Sequence, residues 1–271
     1  MTADLPAWSE PFAGDHRDGL LRHGPWGRAD RAWAFGDGLG GGVRVAIVDS
    51  GVEGSHAAIG GRLVRSVAVE RDGDGWRVDD VEPEDVVGHG TACAGIVHAL
   101  APDTELVSVR VLGGDNRGNG GGFATGLEWA IETSGASIVN LSLSSRSDAF
   151  FAPLHELADE AYFRNVLLVS AANNLAVASY PSLYAAVVSV AAHDVPSAEA
   201  WFYNPQPPVE FGAHGLNVDV AWRNGARMTV TGNSFAAPHV AGLAARIRAA
   251  HPGITPFETK TLLAATADNA T

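Results

Sequence analysis

The stretch that decides the fold is VRVAIVD, residues 43–49. It is rich in Val and Ile and lacks a strict alternation of apolar and polar residues, which is typical of a strand buried on both faces. We therefore expect this strand to lie inside a sheet. Similar apolar runs follow along the chain: ELVSVRVL (105–112), SIVNLSLS (137–144), VLLVSAA (166–172) and AVVSVAA (186–192).

Helix candidates alternate with these strands. They are GTACAGIVHAL (90–100), FATGLEWAIETSG (123–135) and PLHELADEAYFRN (153–165). Alternating strands and helices imply crossover connections, so we predict an α/β fold with a mainly parallel sheet covered by helices on both faces. Residues 1–24 are polar, with Pro, Gly and scattered charges, and predict an arm outside the core. Residues 25–271 then form one domain.

Composition excludes several kinds of partner. The 271 residues include 18 Lys and Arg against 31 Asp and Glu, so the net charge of −13 argues against a nucleic-acid partner. No segment approaches the roughly 20 apolar residues of a membrane span, and the first residues lack the pattern of a secretory signal. Cys93 is the only cysteine, which fits a reducing compartment. We therefore expect a cytoplasmic protein with no membrane partner.

Three polar residues stand at the ends of predicted elements. Asp49 follows a strand, His89 in GHGT precedes a helix, and Ser234 opens the helix SFAAPHVAGLAARIRAAH. Each alone has an ordinary alternative as a strand-end cap, a loop residue or a helix cap. Together they supply the carboxylate, the imidazole and the hydroxyl that nucleophilic catalysis needs, because serine is a poor nucleophile without an oriented base.

The segments around these residues resemble the subtilase family. VAIVDSGVEGSH, GHGTACAGIV and GNSFAAPHVAG are similar, in that order, to its aspartate, histidine and serine motifs. PWGRADRAW, NLSLS, SAANN and YPSLYAAVVSVAA extend the resemblance over about residues 25–265. It implies a three-layer subtilisin-like fold and a serine endopeptidase that hydrolyses peptide bonds through an acyl-enzyme. Ser234 would attack, His89 would shuttle the proton, and Asp49 would orient His89.

The resemblance also implies an oxyanion site and an extended polypeptide substrate. The amide of Asn173 and the backbone N–H of Ser234 would hold the oxyanion. Asn174 is the alternative, because the family usually has Gly-Asn where this chain has Asn-Asn. The substrate would pair by strand addition, and its binding residues are predicted to be Ser142, Leu143, Ser144, Gly118, Asn119, Gly120, Ala171, Ala172 and Ser179. A glycine-rich run such as 113–122 is also found where a loop binds phosphate, but this one lacks the Gly-Lys-Ser/Thr ending of a phosphate-binding loop.

Several positions depart from the family pattern. Ala92 replaces a second histidine, Asn233 replaces a threonine, and Cys93 lies one turn after His89. The helix at 90–100 runs on without the insertion that forms a calcium loop in relatives, and the nearby acidic residues lack the spacing of oxygen ligands. We predict no metal and no cofactor.

Two other functions remain open at this point: an inactive binding protein on a subtilase frame, and a transpeptidase or macrocyclase that transfers the acyl group to an amine. The lack of a signal and of a full folding prodomain suggests the further hypothesis of a dedicated intracellular protease that matures a peptide. Residues 1–24 would act as a self-inhibitor in the cleft.

Overall fold

The structure, a computed structural model, describes residues 29–116 and 118–270. The predicted arm at 1–24 therefore lies outside the described residues. The strands are β1 Arg44–Asp49, β2 Leu63–Asp72, β3 Gly75–Asp80, β4 Glu105–Arg110, β5 Ile138–Leu141, β6 Leu167–Ala171, β7 Val188–His193, β8 Trp201–Tyr203, β9 Phe211–His214, β10 Val218–Trp222 and β11 Ala226–Val230. The α-helices are α1 Arg31–Phe35, α2 His89–Leu100, α3 Gly120–Glu132, α4 Phe151–Phe163, α5 Asn233–Ala250 and α6 Pro256–Ala265.

Nine of these strands form one sheet in the order β3-β2-β4-β1-β5-β6-β7-β9-β8. In this order, every neighbouring pair from β2 through β4, β1, β5, β6 and β7 to β9 is parallel. The edge strands β3 and β8 pair antiparallel with β2 and β9. Strands β10 and β11 make a separate antiparallel hairpin. Strand β1 lies between β4 and β5, so its carboxyl end opens at a central position of the sheet, where ligand sites form in parallel α/β folds.

The side chains of β1 explain why this sheet is covered on both faces. Val45 and Ile47 pack into one core cluster with residues of α2 and α5. Ala46 and Val48 point to the opposite face and pack with residues of α3 and α4. Because successive side chains of a strand point to opposite faces, a strand buried between two helical layers needs apolar residues at every position.

Helices α2 and α5 lie against each other on the same face of the sheet. A Cβ atom at Gly242 of α5 would lie 2.9 Å from the Cβ of Leu100 in α2, closer than real Cβ contacts come. Glycine therefore allows the two backbones to approach. This packing matters for function because α2 begins at His89 and α5 begins one residue before Ser234.

The predicted α/β class and the mainly parallel sheet are confirmed. The predicted helix at 123–135 instead spans Gly120–Glu132, so it begins inside the glycine run. There the side chain of Asn119 accepts a hydrogen bond from the backbone N–H of Gly121 and caps the helix. The hairpin of β2 and β3, the strands β8 to β11 and helix α6 were not predicted, because their short runs mix polar and apolar residues.

Candidate active site

Asp49, His89 and Ser234 meet at the carboxyl end of the central strand. Asp49 is the last residue of β1, His89 is the first of α2, and Ser234 lies in the first turn of α5. Nδ1 of His89 is 2.9 Å from both carboxylate oxygens of Asp49, and its Nε2 is 3.0 Å from Oγ of Ser234. The three side chains therefore form one hydrogen-bonded line.

The carboxylate determines the state of the imidazole. Asp49 is fully buried, and one of its oxygens also accepts the backbone N–H of Ser50. Since the carboxylate can only accept, Nδ1 of the neutral His89 ring carries the proton and Nε2 is left to accept from the hydroxyl of Ser234. Burial of the ring acts to lower the pKa of His89, but the neighbouring Asp49 charge outweighs it, and the pKa lies above its ordinary value of 6.5.

Asp85 anchors the beginning of helix α2. This side chain is buried, and one oxygen accepts from the hydroxyl of Ser50 and the backbone N–H groups of Val87 and Gly88. The other oxygen accepts from the N–H and the hydroxyl of Thr91. A carboxylate at a helix N-terminus satisfies donors that have no partner within the helix and complements the helix dipole. Asp85 was not predicted as a site residue, although an acidic residue just before a predicted helix was a usable signal.

The beginning of helix α5 is fixed through its own proline. Pro238 has no N–H, so the carbonyl of Ser234, four residues earlier, receives no helical hydrogen bond from it. That carbonyl instead accepts from the hydroxyl of Ser142 at 2.7 Å. Ser142 in turn accepts from the side-chain amide of Asn140. Pro238 therefore leaves the carbonyl of Ser234 without a helical hydrogen bond, and the hydroxyl of Ser142 binds this carbonyl and fixes the backbone of the nucleophile.

The amide beside Ser234 is Asn174 rather than Asn173. Oδ1 of Asn174 accepts the backbone N–H of Asn233 at 2.9 Å, and Asn174 lines the same cleft as Ser234. Oδ1 of Asn173 instead accepts the N–H of Leu175 in a local turn. The assignment of the oxyanion amide to Asn173 does not fit this geometry. Asn174 was the alternative that the sequence left open.

A cleft of about 360 Å³ contains this line of residues. The predicted substrate-binding residues that line it are Ser142, Leu143, Ser144, Gly118, Asn119 and Gly120. A Cβ atom at Gly120 would overlap the ring of Phe150, so this position requires glycine. Leu112 and Phe123 add apolar surface, and His89 is the only titratable group among the described lining residues.

Three predicted substrate-binding residues lie elsewhere. Ala171 and Ser179 are buried, and the hydroxyl of Ser179 interacts with that of Ser182. The backbone N–H of Ala172 bonds to the carbonyl of Val190 in the neighbouring strand. None of the three is among the described residues that line the cleft with Ser234. Ala171 and Ala172 instead pair with β7 at the end of β6, because the backbone groups of a buried strand need partners.

The sulfur of Cys93 lies next to the hydrogen-bonded side chains of Asp49 and His89. This sulfur is 3.3 Å from Oγ of Ser142 and 3.9 Å from Nδ1 of His89. Burial is the largest cause of a raised pKa for this thiol, so it stays protonated at neutral pH. Ligand atoms of Asp49, His89 and Cys93 lie within 4.8 Å of one another, and they are the described group with metal-ligand spacing. Their hydrogen bonds to each other and to Ser234 already occupy these atoms.

The profile of the subtilase family matches residues 40–271. The chain belongs to the subtilase family. It is 35% identical over 242 residues to subtilisin BL of Lederbergia lenta, and this match covers 84% of this chain and 85% of that protein. It is 34% identical to M-protease of Shouchella clausii (strain KSM-K16), again over 84% of this chain, which spans 60% of that protein's length.

A solved structure agrees with these relatives. A cold adapted subtilisin-like serine proteinase superposes with a TM-score of 0.69 and 26% sequence identity, over 91% of this chain and 94% of that one. The matched part of this subtilase is thus a subtilisin-like serine endopeptidase domain, whose substrates are polypeptides. Within residues 29–116 and 118–270, no helix combines the length and the apolar composition that a bilayer crossing requires.

Proposed function

We propose that Asp49, His89 and Ser234 are the catalytic triad of this subtilase and that it hydrolyses peptide bonds through an acyl-enzyme. The observation that carries the proposal is the hydrogen-bonded line from the buried carboxylate through the ring to the hydroxyl, at 2.9 and 3.0 Å. These distances lie within the range in which a general base takes a proton.

In the first step, Oγ of Ser234 attacks the carbonyl carbon of the scissile bond while its proton moves to Nε2 of His89. Asp49 stabilises the imidazolium and keeps the ring in the required orientation. His89 then gives the proton to the leaving amine nitrogen, the C–N bond breaks, and an ester on Ser234 remains. Water attacks this ester with His89 again as the base, which releases the acid product and restores the hydroxyl.

The oxyanion is held at the open end of helix α5. Among the described residues, no hydrogen bond reaches the backbone N–H of Ser234, and Asn174 keeps its NH₂ group free because its Oδ1 binds the N–H of Asn233. A backbone N–H and a side-chain amide are the usual donors to a tetrahedral oxyanion. We therefore assign the side-chain donor to Asn174.

The substrate binds as an extended strand between residues 142–144 and 118–120. Strand β5 ends at Leu141, so the next residues leave the ladder with main-chain groups available for a peptide. The cleft combines Leu112, Phe123 and Leu143 with no charged side chain among its described lining residues. Uncharged or apolar side chains before the scissile bond suit this surface.

Labelling with a fluorophosphonate tests the triad. Only an activated serine displaces fluoride from phosphorus, so we expect one adduct on Ser234 by mass spectrometry. Ser234→Ala should abolish labelling and lower kcat by roughly a millionfold, as for the nucleophile of subtilisin. Ser145→Ala is the matched control, since this serine lines the same cleft outside the hydrogen-bonded line. Normal cleavage by Ser234→Ala would discard the triad.

The narrower role, maturation of one intracellular peptide, rests on the sequence hypothesis alone. Cleavage of a peptide library tests it: a dedicated protease should cut few sequences, and rapid cutting of most unfolded chains would contradict it. Mass spectrometry of the products separates hydrolysis from transfer to an added amine, because transpeptidation joins the amine to the acyl fragment.

A further inference from the structure

A second cavity lies beside helices α2 and α5, away from the cleft that contains Ser234. It has a volume of about 450 Å³ and is bounded by α2, α5, β10 and residues 196–198. Its lining is mainly aliphatic and shares no described residue with the cleft that contains Ser234. Sites for small molecules generally have volumes of about 300–1,000 Å³ and apolar walls with a few polar groups. The polar side chains in the lining therefore determine which hydrogen-bonding groups a ligand needs.

Two imidazoles line this cavity with fixed tautomers. Nδ1 of His239 donates to the carbonyl of Phe235 at 2.8 Å, and Nε2 of His214 donates to the carbonyl of Leu216 at 3.1 Å. A carbonyl only accepts, so the second nitrogen of each ring carries a lone pair. The two ring centroids are 5.5 Å apart. In the part of the chain that the structure describes, no hydrogen bond occupies Nε2 of His239 or Nδ1 of His214.

The charged side chains among the described residues that line this cavity are Asp219 and Arg227, which are paired with each other. Burial lowers the pKa of His239 to about 4, so its ring is neutral near neutral pH. Burial also lowers the pKa of His98, another lining residue. Arg227 is already bound to Asp219, with Nη2 2.7 Å from the carboxylate. Burying an unpaired charge is costly, so both an anionic and a cationic ligand are disfavoured against these apolar walls.

We propose that this cavity is a binding site for an uncharged small molecule with an apolar body and one O–H or N–H group, which donates a hydrogen bond to Nε2 of His239. A phenol has this chemistry. The ring occupies the apolar volume between Ile96, Leu100 and Val220, and the hydroxyl donates to Nε2 of His239. The described residues give Nε2 of His239 no donor, so the ligand's O–H makes a hydrogen bond that a purely apolar molecule of the same size cannot make.

Titration calorimetry of the full chain with phenol, anisole and toluene tests the site. These probes have similar bodies, but only phenol carries a donor. We expect saturable binding of one phenol per chain, and about tenfold weaker binding of anisole and toluene, since one neutral hydrogen bond distinguishes them. Equal affinity for the three probes, or no saturable phenol binding, would overturn the proposal.

Three variants locate the bound molecule. His239→Leu removes the acceptor, so phenol and toluene should then bind with similar affinity. Ala58→Leu narrows the cavity and should weaken both probes at least tenfold, and it decides the question if His239→Leu does not fold. His193→Gln is the matched control: this ring lies beside His214, but both of its nitrogens bind the backbone, at Ala200 and Val195.

The control should bind phenol like the unaltered chain. Unchanged phenol binding in Ala58→Leu would place the molecule elsewhere and overturn the proposal. Because calorimetry measures binding without cleavage, this result is independent of whether Ser234 acts as the nucleophile.

Discussion

The N-termini of α2 and α5 lie side by side, but their donor groups are treated differently. At α2 the N–H groups of Gly88 and Thr91 are bound by the carboxylate of Asp85, and the N–H of Gly90 is bound by Ser50. At α5 the N–H of Ser234 has no hydrogen-bond partner among the described residues, and its carbonyl is bound by Ser142. The helix that carries the base is closed by an anion, whereas the helix that carries the nucleophile is left open.

This difference has a chemical reason. A buried carboxylate consumes the positive end of a helix dipole, which makes α2 a stable support for His89 but useless for a second anion. The end of α5 keeps its donor for charge that exists only during the reaction. An empty helix N-terminus therefore has functional meaning only together with an aligned hydroxyl and a neighbouring amide, as at Ser234 and Asn174.

Apart from loss of the nucleophile itself, the largest effect is expected at the open end of α5. Asn174→Ala should lower kcat by about 100- to 1,000-fold with little change in KM, as for the corresponding donor in subtilisin. Asn173→Ala is the matched control, because its side chain only closes a turn with Leu175. Steady-state kinetics on one peptide checks both. A larger loss for Asn173→Ala would return the oxyanion role to that residue.

The closed end should respond mainly in stability. Asp85→Asn keeps the shape of the side chain but removes its charge. It also replaces one accepting oxygen by an NH₂ group, which then faces other N–H and O–H donors. We therefore expect the free energy of unfolding to fall by about 2–3 kcal/mol. Asp103→Asn is the control, since its ion pair with Arg62 is half-exposed and contributes little. Chemical denaturation measures both. If Asp85→Asn unfolds like the unaltered chain, the carboxylate does not anchor α2.

His89 at the beginning of α2 should determine how activity depends on pH. His89 acts as a base only when it is neutral, so activity is lost as pH falls through its pKa, about tenfold for each unit below it. Because Asp49 raises that pKa, the midpoint of kcat/KM should lie above the ordinary 6.5. Asp49→Asn should move the midpoint down as well as lower the rate. An unmoved midpoint would mean that another group controls the profile.

The smallest effect is expected from the proline of α5. Pro238→Ala restores an N–H that competes with Ser142 for the carbonyl of Ser234, which should lower kcat severalfold and change stability by about 1 kcal/mol or less. Ser142→Ala removes the hydroxyl that donates to the same carbonyl. The two substitutions should therefore be non-additive in a double-mutant cycle. Strict additivity would show that Pro238 does not control this contact.

The central strands and the parallel sheet could be predicted from local sequence. Runs such as 43–49 are apolar at every position, which indicates a strand between two helical layers, and residues 44–49 form that strand. The alternation of such runs with helix patterns predicted the parallel sheet. The hairpin of β2 and β3 could not be found in this way, because it forms the exposed edge of the sheet and carries many polar side chains.

The sequence by itself determined the order of the motifs, the residue types at three element ends and the α/β class, because these depend on periodicity and on neighbours along the chain. Only the tertiary structure decided which asparagine lies beside Ser234, which carboxylate closes α2 and where His214 meets His239. These are contacts between residues far apart in the chain, and a one-residue shift in a turn exchanges one side chain for its neighbour. Local sequence patterns do not predict the distances between such residues, because the packing of α2 against α5 determines them.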